Sequence, residues 1–168
     1  MCIRDRDAGL QLMQSLDAAQ KRAATVDPEK VRNNQVAAAN QDNLILDYEG
    51  IKGADLTSQQ KLNLLNVIRS FVGALRNPHA EVTMDEIGQH IDDTYFSWVG
   101  ESADDSVFYY RIHSPVILIE FDHQGPVGTL NKNPAGVPSR DHIHTVVRTP
   151  NGNDYGKDLL AQHLLADH

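Results

Sequence analysis

Cysteine is all but missing: the 168 residues hold one, Cys2. A disulfide framework therefore drops out. Basic residues are in deficit, with Lys and Arg totalling 15 against 23 Asp and Glu, for a formal net charge of -8. Phosphate backbones are held by clustered Lys and Arg, so this balance argues against nucleic acid as a partner. It leaves room for a small anionic ligand held by one or two Arg. No apolar run is long enough for a membrane span. Aromatic residues are few, at 6% with one Trp, and Tyr95, Phe96 and Trp98 read as core rather than as a stacking platform. What remains, 40% hydrophobic and 23% charged residues, is the composition of a globular domain of a length that buries a real core.

The opening "MCIRDR" has its own reading. Back-translated as ATG TGT ATA AGA GAC AGx, it matches a transposon-end adapter used in short-read library preparation. On that reading residues 1–6 come from the adapter and Cys2 is foreign. Residues 7–168 then form a single domain, the C-terminal half of a longer protein, and the compartment stays open. The alternative is a genuine start Met.

Helical spacing dominates the first half. Leu10, Met13 and Leu16 share one face; Asp17 with Gln20, and Thr57 with Gln60, read as capping boxes. The second box opens the clearest helix, with Leu64, Leu65, Ile68, Phe71, Val72 and Leu75 on its apolar side. Asn77-Pro78 ends that helix, and Thr83 with Glu86 caps another, turning Ile87 and Ile91 inward. Residues 27–43 read as a polar loop and Leu44–Gly50 as a short extended segment. From Tyr95 the period falls to two: "TYFSWVG", "SVFYYRIHS", "PVILIEFDH" and "DHIHTVVR" predict four strands. "KDLLAQHLLADH" predicts a short closing helix. The fold expected is α+β, with N-terminal helices packed on one face of a mostly antiparallel sheet of four or more strands.

Placing the hairpin loop at Ser114-Pro115 sets His113 opposite Val116, Arg111 opposite Leu118 and Tyr109 opposite Glu120. One face then carries Phe108, Tyr110, Ile112, Ile117, Ile119 and Phe121, apolar throughout. The other carries Tyr109, Arg111, His113, Val116, Leu118, Glu120 and Asp122. The last strand divides likewise, with His142, His144, Val146 and Arg148 on one side. If both polar faces belong to one side of one sheet, a site is expected there. His142 and His144, two apart on a strand, are candidate ligands for a divalent metal. His113 and Glu120 are candidate further ligands or a general base. Arg111 and Arg148 are candidate anchors for a carboxylate or phosphate. The bland alternatives are a hydrogen-bonded network, and an Arg148–Asp154 ion pair pinning a turn. A non-catalytic domain is the competing reading. Its polar face would dock on another part of the protein or on a partner, with Val116, Leu118 and Val146 as interface residues.

"FYYRIHSPVILIEFDHQ" followed by "HIHTVVRTPNGNDYGKDLL" resembles a bacterial and fungal family known as domain of unknown function 3500. "DAGLQLMQSLDAAQKRA", "YEGIKGADLTSQQKLNLLNVI" and "IDDTYFSWVGESADDSVFYYRIHSP" resemble it as well. Members of that family run to about twice this length, two domains' worth of chain. The resemblance thus implies a C-terminal half whose missing N-terminal half is its first partner. It implies no reaction, because the family carries no established activity.

Overall fold

The structure, a computed structural model, describes residues 2–36, 45–125, 134 and 136–150. Ten main elements follow in order: α1 (Cys2–Ser15), α2 (Ala18–Ala24), β1 (Thr25–Asp27), β2 (Ile51–Lys52), α3 (Ser58–Val72), α4 (Asn77–Gln89), β3 (Tyr95–Gly100), β4 (Phe108–His113), β5 (Leu118–His123) and β6 (Ile143–Arg148). The arrangement is α+β. The sheet runs β1-β3-β4-β5-β6, with β2 also paired to β3. Every pairing is antiparallel except β1 with β3. The closing helix expected after residue 156, and Asp154, lie outside the described residues.

Both capping boxes form. The Asp17 carboxylate accepts from the Ala19 and Gln20 amides at 2.8 and 2.9 Å, and Thr57 Oγ1 accepts from the Gln60 amide at 3.3 Å. The two box glutamines also hydrogen-bond to each other, Gln20 Nε2 to Gln60 Oε1 at 3.0 Å and Gln60 Nε2 to Gln20 Oε1 at 2.8 Å. The repeated helix-start pattern thus becomes a contact that sets α2 against α3.

Two local expectations are corrected. α4 starts at Asn77, six residues before Thr83, with Pro78 in its first turn. Proline is accepted there because its missing N–H has no helical partner in any case. Asn77-Pro78 therefore opens a helix; α3 has already closed at Gly73, and Leu75 lies half-exposed. The β4–β5 turn is centred on Pro115-Val116 and not on Ser114-Pro115. Proline's fixed φ suits the second turn position and Ser the first. The Ser114 hydroxyl accepts from Val116 and Ile117 amides at 3.1 and 3.0 Å. Pairing shifts by two: His113 faces Leu118, Arg111 faces Glu120 and Tyr109 faces Asp122. Because a shift of two preserves side-chain parity, both faces keep the expected membership. Val116, in the turn, packs against the core and leaves the polar face.

The apolar face buries Phe96, Trp98, Phe108, Tyr110, Ile112, Ile119 and Phe121 against Leu12 and Met13 of α1 and Leu64, Ile68 and Phe71 of α3. Aromatic rings stack across strands, Trp98 on Phe108 at 4.4 Å and Tyr110 on Phe121 at 5.0 Å. Their polar tips are bonded: Trp98 Nε1 donates to Gly100 O at 2.9 Å and Tyr110 OH to Asp5 O at 2.9 Å. Phe121, fully buried in the middle of this stack, is expected to cost about 3–5 kcal/mol on replacement by Ala. Urea unfolding followed by circular dichroism should show the midpoint fall with the slope unchanged.

Candidate functional site

The register turns the far face of the sheet into a grid. One rung reads Tyr95, His113, Leu118 and Arg148; the next Ser97, Arg111, Glu120 and Val146; the third Val99, Tyr109, Asp122 and His144. All six expected polar residues lie on this side, His142 just before β6. They do not meet at one point. His113 and His144 stand two rungs and two strands apart, about 16 Å at ordinary sheet spacings. Arg148 sits at the same end as His113, away from the histidine pair. Among the described residues, no group of three or more His, Cys, Asp or Glu is placed to hold a metal ion. The expectation of His113 and Glu120 as further ligands to the His142–His144 pair thus meets a geometric obstacle: the pleat keeps them on other rungs.

What covers the grid is irregular chain. Residues 28–36 cross the β4–β5 end. The Asp122 carboxylate accepts from the Asn34 and Gln35 amides at 2.9 and 3.0 Å and from Gln124 Nε2 at 3.0 Å. Lys30 Nζ lies 3.1 Å from its other oxygen. Glu120 Oε1 accepts from the Val36 amide at 2.9 Å and from Tyr109 OH at 2.6 Å. Glu120 and Asp122 are fully buried, and buried carboxylates persist only with such partners. Burial lowers the pKa of Lys30 against the opposing pull of Asp122. Burial and then the Glu120 charge push the Tyr109 hydroxyl up.

Residues 45–50 cover the other end. Arg111 Nη2 donates to Glu49 Oε2 and, at 3.4 Å, to Asp47 O. The Tyr48 ring lies 4.4 Å from the His113 ring and stacks on Tyr95 at 4.9 Å. Gly50 ends the segment at φ 93°, where a Cβ would meet the Phe96 carbonyl oxygen at 2.1 Å; only glycine lets this backbone lie so close to β3. His113 is 1% exposed with neither ring nitrogen hydrogen-bonded. Burial, then the Arg111 charge, lower its pKa to about 4, partly opposed by the Asp47 backbone. Burial here favours the neutral imidazole.

The His142–His144 pair differs. His142 Nδ1 lies 2.6 Å from the Gly125 carbonyl oxygen, and the two Nε2 atoms lie 3.0 Å apart. A carbonyl only accepts, so His142 carries its proton on Nδ1 and, when neutral, turns an Nε2 lone pair outward. The rings stand at 85°, 4.8 Å between centroids. His142 is half-buried and His144 exposed. The nearest carboxylate in the register is Asp122, directly across from His144 but already held by Lys30 and three N–H donors.

Lys30, Tyr48, Glu49 and Asp122 carry roles that the sequence did not signal. Lys30 lies in a polar loop without period, and nothing local marks a lysine that folding will bury. Conversely His123 lies on the apolar face, its Nδ1 accepting from the Phe108 amide at 3.0 Å. It is a core histidine, pushed down to about 3 by burial and then by Arg140, opposed by the Phe108 backbone.

Residues 1–157 match a family model described as a protein of unknown function (DUF3500). No curated protein matches the chain, and no solved structure does. Among the described residues, no helix is long and apolar enough to cross a membrane.

His113 and His123 have folded pKa values of about 4 and about 3 against an ordinary 6.5. A depressed folded value means stability that is fully present above pH 6.5 and is lost as pH falls toward the folded value. Urea titrations at pH 7.5 and pH 5.0 should differ by about 1–2 kcal/mol for each histidine. His113→Gln should remove its share of that difference.

Proposed function

The chain belongs to the DUF3500 family, and we propose that this member binds a divalent transition-metal ion at the His142–His144 edge of its sheet. One observation carries the reading: the two Nε2 atoms lie 3.0 Å apart while His142 Nδ1 is tied to the Gly125 carbonyl. Two nitrogens each about 2.05 Å from a tetrahedral zinc ion stand about 3.3 Å apart. A few tenths of an ångström of opening, with the His144 proton carried on Nδ1 instead of Nε2, converts the pair to a chelate. The hydrogen bond from the far nitrogen to a carbonyl is the support that metal-bound histidines have. Two protein ligands leave the remaining positions to water or a bound substrate, the open coordination that Lewis-acid chemistry requires. Imidazole pairs favour Cu²⁺, Ni²⁺ and Zn²⁺ over Mg²⁺ and Ca²⁺.

The test is equilibrium dialysis of the untagged chain against Zn²⁺, Cu²⁺ and Ni²⁺, with bound metal measured by plasma mass spectrometry. The expected result is one ion per chain, and its loss in the still-folded double variant His142→Ala/His144→Ala. Equal uptake by both proteins would overturn the reading.

A second reading, a structural role for the covered part of the face, is favoured by the carboxylates of Glu120 and Asp122, which hold the amides of residues 34–36. In that role Asp122→Asn leaves Lys30 as an uncompensated buried cation, expected to cost about 3–5 kcal/mol. Metal uptake at the histidine pair should persist in that variant under native conditions.

A further inference from the structure

We propose that Arg111 anchors a small carboxylate that also bears a hydrogen-bond donor, and that Glu49 is an internal stand-in for that carboxylate. The inference does not depend on metal at the histidine pair.

Arg111 is 5% exposed, and one of its guanidinium donors is unused. Nη2 donates to Glu49 and Asp47, while Nε is buried without a hydrogen-bond partner. An arginine fork meets a carboxylate best through two parallel N–H bonds, and a buried donor left unpaired is costly. Glu49 reaches Arg111 through one oxygen from the surface side. Its side chain is 49% exposed, and a pair with so exposed a partner adds little stability. Glu49 is therefore replaceable by an anion that takes both N–H groups.

Space for such an anion lies beside the guanidinium. A cavity of about 180 Å³ lies between Arg111, Tyr109, Val99 and Val26 of the sheet and Asn34 and Glu49 of the covering chain. Its valines suit a short aliphatic body. Asn34 Oδ1 is a second buried polar atom without a partner. Arg111 and Asn34 both line the cavity, and each carries a buried polar atom without a partner, Nε a donor and Oδ1 an acceptor. With Glu49 moved aside, that pair matches a ligand with a carboxylate and, a few carbons away, a hydroxyl or an ammonium group. Exchanging Glu49 for such a carboxylate leaves the charge around Arg111 unchanged. Buried Glu120 and Asp122 then gain no uncompensated neighbour. Glu120 stays in place through Tyr109 OH and the Val36 amide.

The test is a ¹H–¹⁵N nuclear magnetic resonance titration of the full chain with lactate, alanine and propionate. These supply the hydroxyl arm, the ammonium arm and a donor-free control. Expected are saturable shifts of the Ser97 and Tyr109 amides and of the Arg111 Nε–H, stronger with lactate or alanine than with propionate. Glu49→Gln, which removes the stand-in charge, should tighten binding by about tenfold. Asn34→Ala should abolish the preference over propionate. Arg111→Lys keeps the charge, lacks the fork, and should lose the response. If that variant does not fold, Glu49→Gln and Asn34→Ala decide. No saturable shift at these residues up to about 50 mM, a range that detects Kd values in the millimolar decade, in both wild type and Glu49→Gln would overturn the proposal. So would shifts confined to other arginines. His142→Ala/His144→Ala should leave the titration unchanged, so failure of the metal reading and failure of this one are separately visible.

Discussion

The carboxylate of Asp122 is the contact on which one side of the molecule depends. It sits fully buried on β5 and gathers Lys30, two consecutive backbone amides and the Gln124 side chain. Three of these partners come from residues 30–35, a stretch without regular hydrogen bonding of its own. Buried amides must find acceptors, and here a strand side chain provides them. The sheet thereby acquires two different coats, helices on one face through apolar contact and irregular chain on the other through charge-assisted hydrogen bonds. The second coat is directional where the first is not. Glu120 and Arg111 extend it along the grid, each tied to the covering chain, and Tyr109 joins it through Glu120.

That arrangement divides the expected site into parts with different physics. His113 is enclosed by Tyr48, Tyr95 and Arg111, in surroundings that favour the neutral ring. His142 and His144 stand at the last strand of the described sheet, half-buried and exposed. Arg111 lies between these extremes, buried in its stem and guanidinium but engaged by a side chain that is itself half in solvent. The three histidines look equivalent as letters on alternating strands. Their distances from solvent and from one another separate them.

The pattern was legible in proportion to how local its cause is. Capping boxes at Asp17 and Thr57 depend on four neighbouring residues and could be read directly. Period-two alternation assigned Arg111, His113, Glu120, Asp122 and His144 to one face, because parity depends only on counting. The start of α4 was misread because Thr83 and Glu86 imitate a cap inside a helix that Pro78 had already opened. The covering chain was opaque for a different reason. Which loop lies over a sheet is a matter of tertiary pairing, here of Lys30 with Asp122 across some ninety residues of sequence and of the Tyr48 ring with His113 across some sixty-five. No periodicity records such a match. The convergence of six polar residues failed as a geometric idea for a related reason: sharing a face fixes direction, while separation depends on strand order and register.

The Pro115-Val116 turn has a bearing on which lengths of this hairpin natural variation can reach. The turn sets β5 against β4, and β5 in turn sets β6. Deleting one residue there leaves too short a loop for the present pairing, and a one-residue slip would invert every downstream side chain, driving Glu120 and Asp122 toward Trp98 and Phe108 and sending Phe121 to the polar coat. A change of two residues would slide the strand while keeping each side chain on its own face. A one-residue addition can instead be taken up in a three-residue loop whose bulge keeps the pairing, so this hairpin tolerates growth at its turn better than loss.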